Sequence, residues 1–214
     1  MDNIIKLSYE YSLNEINIDK VTRGQAKVML YKDLANHNDI IDAIGPTNKM
    51  VLLFPVQSDT IGHWLAILFH PKTNTVEHFD SYGLSPKQEQ AYTKNQYVKQ
   101  GLLNKLYQKA INDGYKFVYN THRLQDMKAG YDDCGSWSSL KSRFSYLSCN
   151  QFAALFLNQT MPPDWIITCL TFLLCKDDVN EEQRIKQIAK LAKKQLRFIF
   201  HNKISNIMFF IFIE

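Results

Sequence analysis

The sequence predicts an α+β domain: a central mixed β-sheet flanked by helices. Three observations carry this. Met50 to Val56 is apolar with no polar alternation, the pattern of a strand buried on both faces. Residues 62–83 read as a β-hairpin. Trp64–Phe69 runs up to a polar turn at Pro71–Asn74, and Thr75–Phe79 returns. The rest of the chain carries helix starts and helical spacing. Three neighbouring strands, apolar on both faces, need helices to cover them.

Taken in order, residues 1–22 suggest short helical pieces. Residues 24–44 predict a helix, with Ala26, Met29, Leu30 and Leu34 at helical spacing and Gly45-Pro46 as the stop. A substrate-side wall is one use for it, and simple packing is the plainer one. Ser85-Pro86 starts a helix with Pro in its first turn, running to about Asn112. Its expected core face is Tyr92, Tyr97, Leu102, Leu103, Leu106 and Ala110. Tyr115–Tyr119 alternates as a half-buried strand. Residues 120–133 form a polar loop holding Gln125 and Gly130. Helices follow from Cys134 to about Tyr146, over Asn150–Asn158, and from Pro163.

Asn180-Glu181-Glu182-Gln183 is a capping-box pattern opening another helix. One face of that helix carries Lys186, Lys190, Lys193, Lys194 and Arg197. A solvated face is the plain reading, and an acidic partner, DNA or a membrane surface the alternative. The apolar tail Ile204–Ile213 is too short to span a bilayer and reads as a terminal core strand.

The 214 residues suit one domain, 1–214, and 45% hydrophobic residues suffice for a core. A net charge of +4 permits an acidic partner without demanding one. The four cysteines show neither Cys-x-x-Cys nor zinc spacing with histidines, so no metal is expected and a reducing compartment is. Met1–Lys6 lacks the pattern of an export leader, and no window is long and apolar enough to span a membrane.

Chemistry concentrates in two stretches. With Pro71–Asn74 as the loop, His70 pairs with Thr75 and Leu65 faces Asp80. His63 and Asp80 then share a face as diagonal neighbours, roughly 7–8 Å apart at the backbone. A slip of one residue would separate them. A histidine held by an acid is half of a nucleophilic site. The other half is Cys134, where a polar loop enters a helix in Asp132-Asp133-Cys134-Gly135. Unpaired N–H groups and the helix dipole favour a thiolate there, and an imidazolium would favour it further. Gly135 would let a carbonyl approach the backbone. Cys149 lacks a following glycine, and Cys169 and Cys175 fall in apolar runs where a buried thiol is ordinary. His78 is the rival base, but an i, i+2 pair on one strand diverges. Asp132 and Asp133 read as loop-capping acids, and His70, beside Pro71, as exposed.

Gly62-His63-Trp64, Asp80-Ser81-Tyr82-Gly83, Gln125 and Asp133-Cys134-Gly135 together resemble the adenain and SUMO-peptidase group of cysteine proteases, most of all its small viral members. The order His, Asp, Gln, Cys agrees, as does the gap of 17 residues from His63 to Asp80. Tyr31-Lys32-Asp33-Leu34 adds to the likeness, which covers about residues 30–146. The region of about 150–214 is matched by helical character alone. The resemblance implies a papain-like arrangement of the adenain type. Cys134 would be the nucleophile, His63 the general base and Asp80 its orienting acid. Gln125 would donate to the oxyanion beside the Cys134 N–H. Trp64 would screen the pair, and Trp64 and Gly135 would meet substrate. Gln125 precedes Cys134 by nine residues, more than the family's usual spacing, and the hairpin by itself leaves Gln125 unconstrained.

The resemblance further implies a protease cleaving capsid or core precursors during virion maturation, after small residues such as Gly. Its setting would be the virion and host cytoplasm. No cofactor is required for the chemistry, while an activating peptide or DNA remains open. An isopeptidase acting on ubiquitin-like modifiers and an inactive binding protein are the alternatives.

Overall fold

The computed structural model describes residues 13–93, 95–127, 132–157, 159 and 162–175. The expectations for the Asn180 helix, its basic face, the apolar tail and Gly130 lie outside the described residues. Among the described residues, five strands form one sheet in the sequential order β1–β5: β1 Lys27–Leu30, β2 Lys49–Ser58, β3 Ile61–His70, β4 Thr75–Phe79 and β5 Lys116–Tyr119. The two outer pairings, β1–β2 and β4–β5, are parallel. The two inner ones are antiparallel, so the sheet is mixed. The helices are α1 Glu15–Thr22, α2 Ile40–Ile44, α3 Pro86–Tyr92, α4 Gln96–Lys99, α5 Leu102–Asn112, α6 Cys134–Arg143, α7 Cys149–Leu157 and α8 Pro163–Cys175. The α+β class is as the sequence predicts, with the sheet covered on both faces.

Alternation along the inner strands divides the core. Met50, Leu52, Phe54, Leu65, Ile67 and Val76 pack with α2 and α5. Val51, Leu53 and Trp64 point the other way, toward α1 and the start of α6. On that same side Phe79 and Ala66 meet Trp137, Phe152 and Phe156 from α6 and α7. Phe79 and Trp137 each stand edge-on to an α7 phenylalanine, with interplanar angles of 88° (Phe152) and 73° (Phe156). Burying each such ring is worth roughly 1.5–3 kcal/mol.

The hairpin register matches the expectation residue for residue, from His70↔Thr75 to Ala66↔Phe79. Residues 24–44 do not form the predicted helix. They contain β1, a 3-10 helix over Tyr31–Asn36, and only then α2. Val28 and Leu30 pack toward one core and Met29 toward the other, the period of a strand. The expected helix of 85–112 is three pieces. Its start is right: Ser85 and Gln88 form a capping box behind Pro86. The break comes where the Thr93 hydroxyl donates to the Pro55 carbonyl and accepts from Asn95 N–H. Tyr92, expected in the core, is exposed. Gly101, at a φ of 69°, opens α5.

A buried polar cluster fixes α6 on the sheet. Lys141 Nζ lies 2.6 Å from Glu77 Oε1, with both side chains buried, and donates to the Leu147 carbonyl. His70 bonds Glu77 from the rim at 2.9 Å and is therefore half-buried, not exposed as expected. No helix among the described residues is long and apolar enough to cross a membrane.

Candidate active site

Three segments converge: the start of β3, the turn after β4, and the N-terminus of α6. The first is fixed by close backbone packing. A Cβ on Gly62 would stand 2.1 Å from the Phe54 carbonyl oxygen, so only glycine lets β2 press against β3 just before His63. Beside it, the β2–β3 register shifts between Pro55 and Ser58.

His63 Nε2 bonds Asp80 Oδ1 at 2.5 Å, in a site where Asp80 is fully buried. Asp80 also accepts from the N–H groups of Tyr82 and Leu84, at 3.0 and 2.8 Å. Burial alone would raise its pKa, but His63 and these donors hold it below the usual carboxylate range. Burial likewise disfavours charge on His63. The Asp80 carboxylate and the Cys134 sulfur overcome that and hold the imidazole pKa well above its ordinary value. With Nε2 committed to Asp80, Nδ1 is the nitrogen left for the thiol.

Cys134 is the first residue of α6, buried, with its Sγ accepting from the Trp64 backbone N–H at 3.5 Å. Trp64 lies beside Cys134, and its indole N–H donates to the Leu13 carbonyl. A Cβ on Gly135 would meet Leu13 Cβ at 3.0 Å and Trp64 Cδ1 at 3.2 Å. The glycine thus makes room for Leu13 and Trp64 as much as for a ligand. A cavity of about 370 Å³ opens there, lined by Leu13, Glu15, Ile61, Trp64, Cys134 and Gly135 among others.

Gln125 is buried, and the turn after β4 holds it. Ser81 Oγ donates to Gln125 Oε1 at 2.7 Å, and the Ser81 carbonyl accepts from Gln125 N–H at 3.0 Å. The hairpin therefore does constrain Gln125, contrary to expectation. Fixing the amide oxygen on Ser81 also fixes the direction of its NH2 group. Asn120 Nδ2 donates to the Asp80 and His122 carbonyls and pins the same turn.

The rival, His78, is fully buried between Tyr107 Oη and Glu89 Oε1, each at 2.9 Å, under α3 and α5. It is a core histidine. Asp133 does not cap α6 with its side chain, as a loop-capping acid would. It is buried against Thr168 of α8. Cys149 donates to Glu77, and burial pushes its thiol pKa up, away from reactivity.

Two contributors had no role in the sequence reading. Tyr82 stacks on His63 with centroids 4.7 Å apart, and Ser81 orients Gln125. Both lie in the Asp80-Ser81-Tyr82-Gly83 stretch, so their nearness to Asp80 was the available signal.

No family model matches the chain. It is 26% identical over 175 residues to uncharacterized protein V9 of Sputnik virophage, covering 78% of this chain and 98% of that protein. Among solved structures it is similar to the ASFV pS273R protease, with 17% identity and a TM-score of 0.44. That match covers 74% of this chain and 66% of the protease, just under two thirds of its length. It is also similar to the C-terminal Ulp1 protease domain in complex with Smt3, the yeast ortholog of SUMO. There the identity is 15% and the TM-score 0.36, with 74% and 76% of the two chains covered.

Proposed function

We propose that this chain is a cysteine endopeptidase that cleaves viral capsid or core precursor proteins during virion maturation, in the virion and host cytoplasm. One observation carries the reading: the buried Asp80–His63 pair meets Cys134 at a helix N-terminus. An acid, a base and a thiol are held there in the order that nucleophilic catalysis requires.

The Cys134 thiolate adds to the carbonyl carbon of the scissile bond. The negative charge passes to the carbonyl oxygen, which takes hydrogen bonds from the Cys134 backbone N–H and the Gln125 amide. Each such donor is worth roughly 3–4 kcal/mol of barrier. The intermediate collapses as the His63 imidazolium protonates the leaving amine, giving a thioester. His63 then takes a proton from water, which adds to the thioester and releases the acid and the thiolate. Asp80 holds the imidazole throughout.

Crowding of Leu13 and Trp64 over Gly135 supports a preference for small residues at the cleavage point. The virophage relative supports the viral setting. No cofactor takes part in these steps. An activating peptide or DNA would be an addition to this chemistry, and the basic residues Lys186, Lys190, Lys193, Lys194 and Arg197 that would meet DNA lie outside the described residues.

The test is to incubate the purified chain and its Cys134→Ala variant with capsid precursor and, separately, with ubiquitin-like conjugates. Cleavage of the precursor after small residues, lost in the variant, is expected. Cleavage of the conjugate alone would make it an isopeptidase. Proteolysis persisting in Cys134→Ala would overturn the site.

A further inference from the structure

Directly before the nucleophile, Asp133 is turned away from its own helix and buried against α8. Its Oδ2 lies 2.9 Å from Thr168 Oγ1, and that same hydroxyl lies 2.7 Å from the Asp164 carbonyl oxygen. Both are hydrogen-bond separations between oxygens, so each contact has either a proton of its own or a share in one. Thr168 has one hydroxyl proton and the carbonyl has none. The carbonyl, acceptor only, takes the threonine proton. Unless that proton is shared with Asp133 Oδ2, a second one sits on Asp133.

We propose that Asp133 is a positioning residue that works as a neutral carboxylic acid, donating to Thr168 and so tying the start of α6 to α8 without placing an anion beside Cys134. This deepens the proposed function and rests on the reading of Cys134 as nucleophile. The surroundings agree. Asp133 is 1% exposed and Asp164 3%, and among the described residues Asp133 has no cation partner. The charged and titratable groups that interact with it are Asp132, its neighbour in the chain, and Asp164 and Cys169 from α8. None is a cation. Burial first, then the negative neighbours, push its pKa up to about 8 in spite of Thr168. A carboxylate there would oppose the helix-end field that favours a thiolate. The neutral acid keeps the anchor and removes the repulsion.

The test compares the full chain with Asp133→Ala, Asp133→Asn and Thr168→Val. Asparagine keeps a neutral donor of the same shape. Iodoacetamide labelling of Cys134 reads the nucleophile without a substrate. Alanine should slow it by roughly tenfold, the loss of about one hydrogen bond, and asparagine should restore it at neutral pH. Infrared difference spectra should show a protonated carboxyl in the wild type that is missing in Asp133→Asn. The melting temperature adds a sign. The unfolded chain releases this proton near pH ~4, before the folded one does, so the wild type loses stability between about pH 4 and 8, a slope that Asp133→Asn lacks. Labelling in Asp133→Asn as slow as in Asp133→Ala would overturn the proposal. So would the absence of the protonated band, since Asp133 would then be a carboxylate sharing one threonine proton. Should Asp133→Ala fail to fold, Thr168→Val, which removes the acceptor, must shift that band. Failure of precursor cleavage with these signatures intact would count against the protease reading instead.

Discussion

The Tyr82 ring lies flat against the His63 imidazole, with centroids 4.7 Å apart and planes 20° from parallel. The Tyr82 backbone N–H also donates to Asp80 Oδ1, the oxygen that holds His63. One residue thus secures both the face and the edge of the base. Burial, reinforced by the negative charges of Cys134 and Asp80, pushes the tyrosine pKa up, so a neutral ring meets the imidazolium. Removing the ring in Tyr82→Ala should cost a stacking interaction of about 0.5–2 kcal/mol, or roughly 2- to 30-fold in kcat/KM. Tyr82→Phe should keep nearly all of it, because the contact is made by the ring. Equal losses in both variants would put the effect on the hydroxyl.

Asp80 sets the pH range over which His63 is charged. Its carboxylate is the leading influence that overcomes burial and raises the imidazole pKa. In the proposed mechanism the alkaline limb of kcat/KM reports the loss of the imidazolium. Asp80→Asn should move that limb to lower pH and lower the plateau, with the fold retained. The stability that the charged His63 contributes is fully present below the ordinary histidine value and fades as pH rises through its raised value. The wild-type thermal stability should therefore exceed that of the variant most at low to neutral pH. An unmoved limb, measured by initial rates across pH, would detach Asp80 from the base.

Gln125 makes a sharper test of the oxyanion site, because its backbone bond to Ser81 survives substitution of the side chain. Gln125→Ala should lower kcat by roughly 10²–10³ and leave KM nearly unchanged, the signature of a donor felt mainly in the transition state. Ser81→Ala should have a smaller effect of the same kind, since it releases the amide oxygen and lets the amide turn. A change confined to KM would make Gln125 a ground-state contact.

The parts of this site that were legible in the sequence share a physical cause. The hairpin register follows from side chains alternating with period two about a four-residue loop, so His63 and Asp80 fell on one face by counting. Cys134 stood out because Gly135 and the acids before it mark a loop entering a helix. What escaped depends on distant contacts. The four residues of β1 are too few to establish a period, and Ala26, Met29, Leu30 and Leu34 imitate a helix by accident of spacing. The break near Thr93 needs the Pro55 carbonyl, 38 residues away. Ser81 finds Gln125 across 44 residues, which explains how the long gap from Gln125 to Cys134 still leaves the amide fixed. Asp133 looked like a cap because its partner, Thr168, comes from a helix 35 residues later.

The same dependence on distant partners governs the Glu77–Lys141 pair, which joins β4 to the helix carrying Cys134. Burial would raise the Glu77 pKa, but His70, Lys141 and Cys149 bring it down to about 2. An unfolded glutamate titrates near pH ~4.3. The pair therefore contributes stability that is complete above that value and is lost as pH falls toward about 2. Glu77→Gln should remove this part of the acid limb in thermal melts. Lys141→Ala should cost roughly 3–5 kcal/mol, because it strands a buried carboxylate. Replacing both, as Glu77→Leu with Lys141→Met, should recover most of that loss, since an apolar pair of similar volume meets no desolvation cost. The double variant is the decisive one. If it is as unstable as Lys141→Ala, the cluster acts through its bonds to Leu147, His70 and Cys149, and the charges are incidental to holding α6 in place.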